Sequence, residues 1–97
     1  MQGVNDLRVA VLGAGRWGRN LVSNLDALGA LVAVSDPSPQ IRSELAIAYG
    51  DRLALVEDHA AVLNDPAIDA VVIATPATTH ATLAVEALRA GKHVFVE

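Results

Sequence analysis

The chain has 97 residues, 53% of them hydrophobic but only 3% aromatic, and a formal charge of −4 at pH 7. That length makes one domain burying roughly 60–65% of its unfolded surface, so the stability margin is narrow. Having no cysteine excludes a disulfide scaffold, a thiolate metal site and a cysteine nucleophile.

The charged residues form no block of one sign, so nothing points to nucleic acid or an anionic membrane as partner. The N-terminus MQGVNDLR has no basic start followed by an apolar core, and is not a signal peptide. No apolar run approaches about 18 residues, so no transmembrane helix is expected and a cytoplasmic domain is the default. The apolar content is mostly Ala, Val and Leu, which suits parallel strands covered by helices on both faces.

Short apolar runs alternate with stretches of helical periodicity. Leu7 to Gly13, LRVAVLG, reads as a buried strand. A helix follows, with Trp17, Leu21, Leu25 and Leu28 on one face and Gly29 as its C-terminal cap. Ala30 to Asp36 is a second strand ending on an acid. Ser38 as N-cap and Pro39 at the first helical position open a helix whose face carries Ile41, Leu45, Ala48 and Tyr49, closed by Gly50. Leu53 to Val56 is a third strand, and a short helix capped by Asp58 stops at the turn Asn64-Asp65-Pro66. Ile68 to Thr75 is the fourth strand, ended by Pro76. A helix from Thr78 or Thr79 carries Leu83, Ala84, Ala87 and Leu88 to Gly91, and HVFVE to Glu97 is a fifth strand. This alternation predicts an α/β fold, a doubly wound parallel sheet of order 3-2-1-4-5, truncated after the fifth strand. That outer strand has no following element to cover it, which makes self-association through its edge an expectation.

Gly13-Ala14-Gly15-Arg16-Trp17-Gly18 follows a strand and opens a helix, the context in which G-x-G-x-x-G cradles a pyrophosphate. Gly13 permits the tight turn, Gly15 lets backbone approach phosphate, and Gly18 lets helix pack on strand. The helix N-terminus adds free N–H groups and the positive end of its dipole. Asp36 ends the second strand about 20 residues on, where a carboxylate accepts ribose hydroxyls and repels a 2′-phosphate, favouring NAD over NADP. Its alternative role is to shape the DPSP turn. Arg16 either touches a phosphate or is a solvated first-turn residue. Trp17 counts among the cofactor-side residues, although packing against a neighbouring segment is the favoured role for its ring. His59 and His93 read as structural or exposed, and no pair of histidines has metal spacing.

VAVLGAGRWG, VAVSDPSP, DAVVIATPATTH and AGKHVFVE, in that order, resemble the Gfo/Idh/MocA family of glucose–fructose oxidoreductase and inositol dehydrogenase, and GAGRWGRNLV looks most like its nucleotide-sugar 3-dehydrogenase branch. The resemblance covers the whole chain. It implies an N-terminal NAD-binding Rossmann domain, with a separate C-terminal substrate domain outside these residues. It also implies an oxidoreductase moving hydride between a nicotinamide cofactor and a sugar, cyclitol or nucleotide-sugar hydroxyl. By position it assigns the pyrophosphate to Gly13, Gly15 and Gly18, the ribose to Asp36, and the crevice wall to Thr75 and Pro76, which on spacing alone read as a strand terminator. His80 matches the histidine of T-P-x-x-x-H and stands near the cofactor, or is a polar first-turn residue. Glu97 opens the family's Glu-Lys-Pro motif and approaches the nicotinamide ribose. The motif's acid/base lysine is not among these residues, and Lys92 lies at the wrong end of the sheet to replace it. The 97 residues by themselves are therefore expected to be inactive. Two other classes fit parts of the pattern: a non-catalytic dinucleotide-binding or interaction module, and a methyltransferase, which ATPATTH disfavours.

Overall fold

The computed structural model describes residues 7–97. Parallel strands β1 (Val9–Leu12), β2 (Leu31–Ser35), β3 (Ala54–Val56), β4 (Ala70–Ile73) and β5 (His93–Val96) form one sheet of order β3-β2-β1-β4-β5. Helices α1 (Arg16–Ala27), α2 (Pro39–Tyr49), α3 (His59–Leu63) and α4 (His80–Arg89) connect them. The expected topology is the observed one. The strands are shorter than the apolar runs because ladder pairing stops where the loops begin to turn away.

β1 is central and buried along its whole length, which is why its sequence is a continuous apolar run rather than an alternating one. Its side chains divide between two cores. On one face Val11 packs with Val22 of α1, Val34 of β2 and Leu45 of α2. On the other, Leu12 and Ala10 pack with Val62 and Leu63 of α3, Ile73 of β4, and Leu83 and Ala87 of α4. The two pairs of helices thus cover opposite faces.

Helix ends follow local chemistry. Ser38 Oγ accepts from the Ile41 N–H at 3.2 Å with Pro39 in the first turn, and Asp58 Oδ1 accepts from the Ala60 N–H at 2.9 Å. α1 ends in a Schellman arrangement: Gly29, at φ +75°, donates to Asp26 O, and Ala30 donates to Leu25 O. An exposed ion pair between Arg19 and Glu44 joins α1 to α2, and the Arg19 hydrogen bond holds the Glu44 carboxyl below its usual range. At the bottom of the sheet the buried Lys92 ammonium donates to Asp65 O and Ile68 O at 2.7 and 2.8 Å, tying the turn before β4 to the start of β5.

Three expected helix faces are corrected. On α1 the buried residues are Gly18 and Val22, whereas Trp17 and Leu28 are 64% and 72% exposed. Gly18 is the cause: by lacking a side chain it brings its own face of α1 against the loop after β1, and the stripe through Val22 follows it inward. On α4, Leu83 and Ala87 are buried while Leu88 faces out, and Ala48 of α2 is exposed. Among the described residues no helix is long and apolar enough to cross a membrane.

Leu12 is fully buried at the centre of this arrangement. Leu12→Ala removes its side chain from a close-packed layer and is expected to cost about 2–5 kcal/mol, a large share of a small domain's stability. Urea unfolding should show a lower midpoint at unchanged slope.

Candidate functional site

The register of the sheet creates the site. Leu12 pairs with Ser35 on one side and Ile73 on the other, Ser35 pairs with Val56, and Ile73 with Val96. The strands therefore end level, and Gly13, Asp36, Glu57, Ala74 and Glu97 leave the sheet in one row. Between β1 and β4 the crossovers switch faces, so the loops after these two strands part and leave a crevice at the C-terminal edge. Its volume is about 750 Å³. The β1–α1 loop contributes Gly13 and Gly15, and the first turn of α1 contributes Arg16 and Trp17. The segment after β2 contributes Asp36, Pro37 and Ile41, and the β4–α4 loop contributes Ala74, Thr75, Pro76, Thr78 and Thr79, with Thr82 and Leu83 beyond.

The three glycines of the motif, Gly13 and Gly15 in the β1–α1 loop and Gly18 in α1, have different physical reasons. Gly13 has φ +91°, and a Cβ there would stand 3.0 Å from the Thr75 backbone nitrogen and Cγ2. A Cβ on Gly18 would overlap the Gly13 carbonyl oxygen. The fold itself requires both glycines. Gly15 is another matter: at φ −70° any residue fits, and no heavy atom lies within 4 Å of the position its Cβ would take. It is exposed on the crevice wall as the N-cap of α1, with no side-chain capping bond. Exposed backbone at an uncapped helix start offers N–H groups and dipole to an anion, and a side chain at Gly15 would fill that space. The donor set and the free space fit a pyrophosphate.

Asp36 is 7% exposed and does two things at once. Its Oδ2 accepts from the Ala14 N–H and its Oδ1 from the Ser38 N–H, both at 2.9 Å. The carboxylate shapes the turn after β2, as the alternative reading held, and also ties that turn to the glycine loop. Arg42 Nη1 donates to the Asp36 carbonyl at 2.9 Å, bracing the same residue from α2. A carboxylate has about four lone-pair directions, so two acceptor positions remain beyond these backbone bonds.

The other sequence-predicted residues fall into two groups. Arg16, Trp17, Thr75 and Pro76 line the crevice with the glycines and Asp36. Trp17 does not pack on a neighbouring segment; its ring is mostly exposed, because the inward face of α1 belongs to Gly18 and Val22. Gly18, His80 and Glu97 are not in the lining. Gly18 lies beneath the loop. His80 Nε2 donates to the Thr75 carbonyl at 2.7 Å, holding the turn after β4, where Thr79 Oγ1 also donates to Pro76 O at 2.7 Å. Glu97 follows β5, its backbone N–H bonded to Ile73 O, with its side chain exposed. Sequence reasoning missed His59, which lines the crevice with Nδ1 2.5 Å from Ser35 Oγ. It also passed over Ile41, Thr78 and Thr82. Only the placement of Asp58 as a helix cap at the end of β3 hinted that the next side chain would reach the same edge.

A crevice of this kind at the switch point of a 3-2-1-4-5 sheet defines a dinucleotide-binding type of domain. The chain belongs to the GFO_IDH_MocA oxidoreductase family, whose NAD-binding Rossmann-fold model matches residues 7–97. It is 41% identical over 101 residues to the scyllo-inositol 2-dehydrogenase (NAD(+)) of Bacillus subtilis, a match covering 96% of this chain and 28% of that protein. To the inositol 2-dehydrogenase of Rhizobium meliloti it is 41% identical over 95 residues, covering 94% of this chain and 27% of that protein. The crystal structure of a probable dehydrogenase from Thermotoga maritima superposes with a TM-score of 0.84 at 32% identity, over 93% of this chain and 27% of that one. That of a 3-ketoreductase from Actinomadura kijaniata, in complex with NADP and TDP-benzene, gives 0.81 at 29% identity, over 93% and 28%. The chain thus spans little more than a quarter of the length of these relatives.

The contrast among the glycines is measurable by thermal unfolding. Gly18→Ala forces a methyl group into the Gly13 carbonyl and should cost about 1–3 kcal/mol, or very roughly 4–20 °C in midpoint for a domain of this size. Gly15→Ala should leave the midpoint within a few degrees of the parent's.

Proposed function

We propose that residues 7–97 bind NAD in the crevice, with the pyrophosphate over Gly15 and the first turn of α1. Gly13 and Gly18 give the loop its shape, and Arg16 supplies positive charge at the crevice mouth. Asp36 receives the adenosine ribose on the acceptor positions its backbone bonds leave free. The nicotinamide end lies toward Thr75 and Pro76, in the turn that His80 holds. Trp17 offers an exposed apolar surface beside the phosphates, and Glu97 lies at the β5 end of the row of strand ends. The single observation that carries this reading is Gly15: the fold does not need a glycine there, but a ligand approaching the backbone does. The family model's NAD-binding description and the NAD(+)-dependent relative support the same choice of cofactor.

The preference for NAD over NADP rests on Asp36, since a buried carboxylate at the ribose position repels a 2′-phosphate. The NADP bound by the Actinomadura kijaniata ketoreductase makes this a point to test. For the whole protein we propose an oxidoreductase acting on a hydroxyl of a cyclitol or sugar, in line with the inositol dehydrogenases it resembles. A nucleotide-linked sugar is the second reading, favoured by the ketoreductase in complex with TDP-benzene. In either case the nicotinamide supplies the hydride chemistry when bound, and this domain supplies binding and orientation. Lys92 cannot act on a substrate hydroxyl, because its ammonium is buried against two carbonyls at the opposite edge of the sheet. The 97 residues alone are therefore proposed to bind cofactor without turnover.

Calorimetric titration with NADH and NADPH tests the reading. Saturable NADH binding is expected, stronger than NADPH binding. Gly15→Val should lower NADH affinity by about 100-fold or more, about 2.7 kcal/mol, with the fold retained. Unchanged affinity in that variant would remove the cradle. Asp36→Ala should weaken both cofactors, because the Ala14 N–H loses its acceptor, but should weaken NADH about 10-fold more than NADPH. Equal losses would reduce Asp36 to a shaper of the loop.

A further inference from the structure

Ser35 is fully buried at the end of β2, and among the described residues its hydroxyl has one hydrogen-bond partner, His59 Nδ1 at 2.5 Å. This contact is more informative than a strut between β2 and α3. A buried hydroxyl proton without an acceptor is costly, so the Ser35 O–H donates to Nδ1. A neutral imidazole accepting at Nδ1 carries its own proton on Nε2. Among the described residues no buried side-chain nitrogen or oxygen lacks a partner and Nε2 has none, so Nε2 is in contact with solvent. The ring stands on the wall of the crevice, on the side of Asp36 and Pro37 rather than that of Gly13 and Thr75. Ser35 therefore fixes both the orientation of the imidazole and the nitrogen that carries its proton.

We propose that His59 is a base-recognition residue: its Nε2–H, set by Ser35, donates to a ring nitrogen of the adenine of the bound dinucleotide. This rests on the dinucleotide reading above, in which the ribose on Asp36 directs the base toward the β2 and β3 ends of the sheet. The ligand chemistry fits. Adenine presents acceptor nitrogens on both rings, and a neutral imidazole offers one directed donor without adding charge beside Asp36. Ser35 acts through His59 and is a positioning residue.

The experiment is calorimetric titration of the full 97-residue chain with NADH and with ADP-ribose, which keeps the adenosine half and lacks nicotinamide. His59→Phe is expected to lower affinity for both ligands by the same factor, about 3- to 10-fold, the range of one hydrogen bond. His59→Gln, which keeps an N–H donor, should recover part of the loss. Ser35→Ala should weaken binding in the parent chain and have no further effect on His59→Phe, because Ser35 acts only through the imidazole. A folded His59→Phe chain that binds both ligands as the parent does overturns the proposal, as does a loss seen with NADH and not with ADP-ribose. Should His59→Phe fail to fold, Ser35→Ala and His59→Gln decide: parental affinity in Ser35→Ala overturns the proposal, and weakened binding of both ligands by Ser35→Ala with near-parental binding by His59→Gln supports it. A parent chain that binds neither ligand removes the dinucleotide reading itself, so the two failures are distinct.

Discussion

The Asp36 carboxylate bridges two pieces of backbone that the sheet would otherwise let diverge. One oxygen accepts from Ala14 in the glycine loop, the other from Ser38 at the start of α2. The loop after β1 and the turn after β2 are thereby held at a fixed spacing, and the floor of the crevice between them keeps its shape. Hydrogen bonds to an ionised acceptor are among the stronger kinds, and this one is largely shielded from water. On the other side of the loop, the close approach of Gly18 to the Gly13 carbonyl fixes where α1 begins. Together these two constraints aim the open end of α1 into the crevice, and the proposed phosphate site depends on both.

The crevice is also a product of topology. Each face of the sheet has its own core, closed by α1 and α2 on one side and by α3 and α4 on the other. Because the chain changes faces between β3 and β4, no helix passes over the C-terminal ends of β1 and β4, and space remains there. Much of what lines that space is small or polar, with glycines, threonines, Pro76 and Asp36, and Ile41 and Leu83 add apolar surface from the helices. The larger apolar side chains are spent on the two cores. Trp17 is an exposed ring at the mouth of the site, as an apolar surface open to a ligand would be.

How far the sequence was legible differs from element to element. The strand order followed from alternation, and the caps at Ser38, Asp58 and Gly29 followed from the local hydrogen bonds such residues make. The inward face of α1 did not, because periodicity weighs bulky apolar residues and is blind to a glycine chosen for close approach. For the same reason Leu88 looked like core and lies outside. At the site, the residues within the glycine motif and Asp36 were readable because their spacing carries a mechanism. His59 was not, since its significance comes from Ser35, 24 residues earlier in the chain, and no local pattern links the two.

By itself, the sequence determined which segments become strands and helices, that the strands run parallel in the order 3-2-1-4-5, and that a glycine loop and an acid meet at one edge. Those properties depend on backbone conformation, periodicity and handed connections, all of which act over short distances along the chain. Only the tertiary structure decided which of the three glycines the fold can do without, that Asp36 serves loop and turn together, and that His59 is oriented by Ser35. Each of these turns on atoms brought together across the sheet, and such distances are set by packing, not by neighbours in sequence.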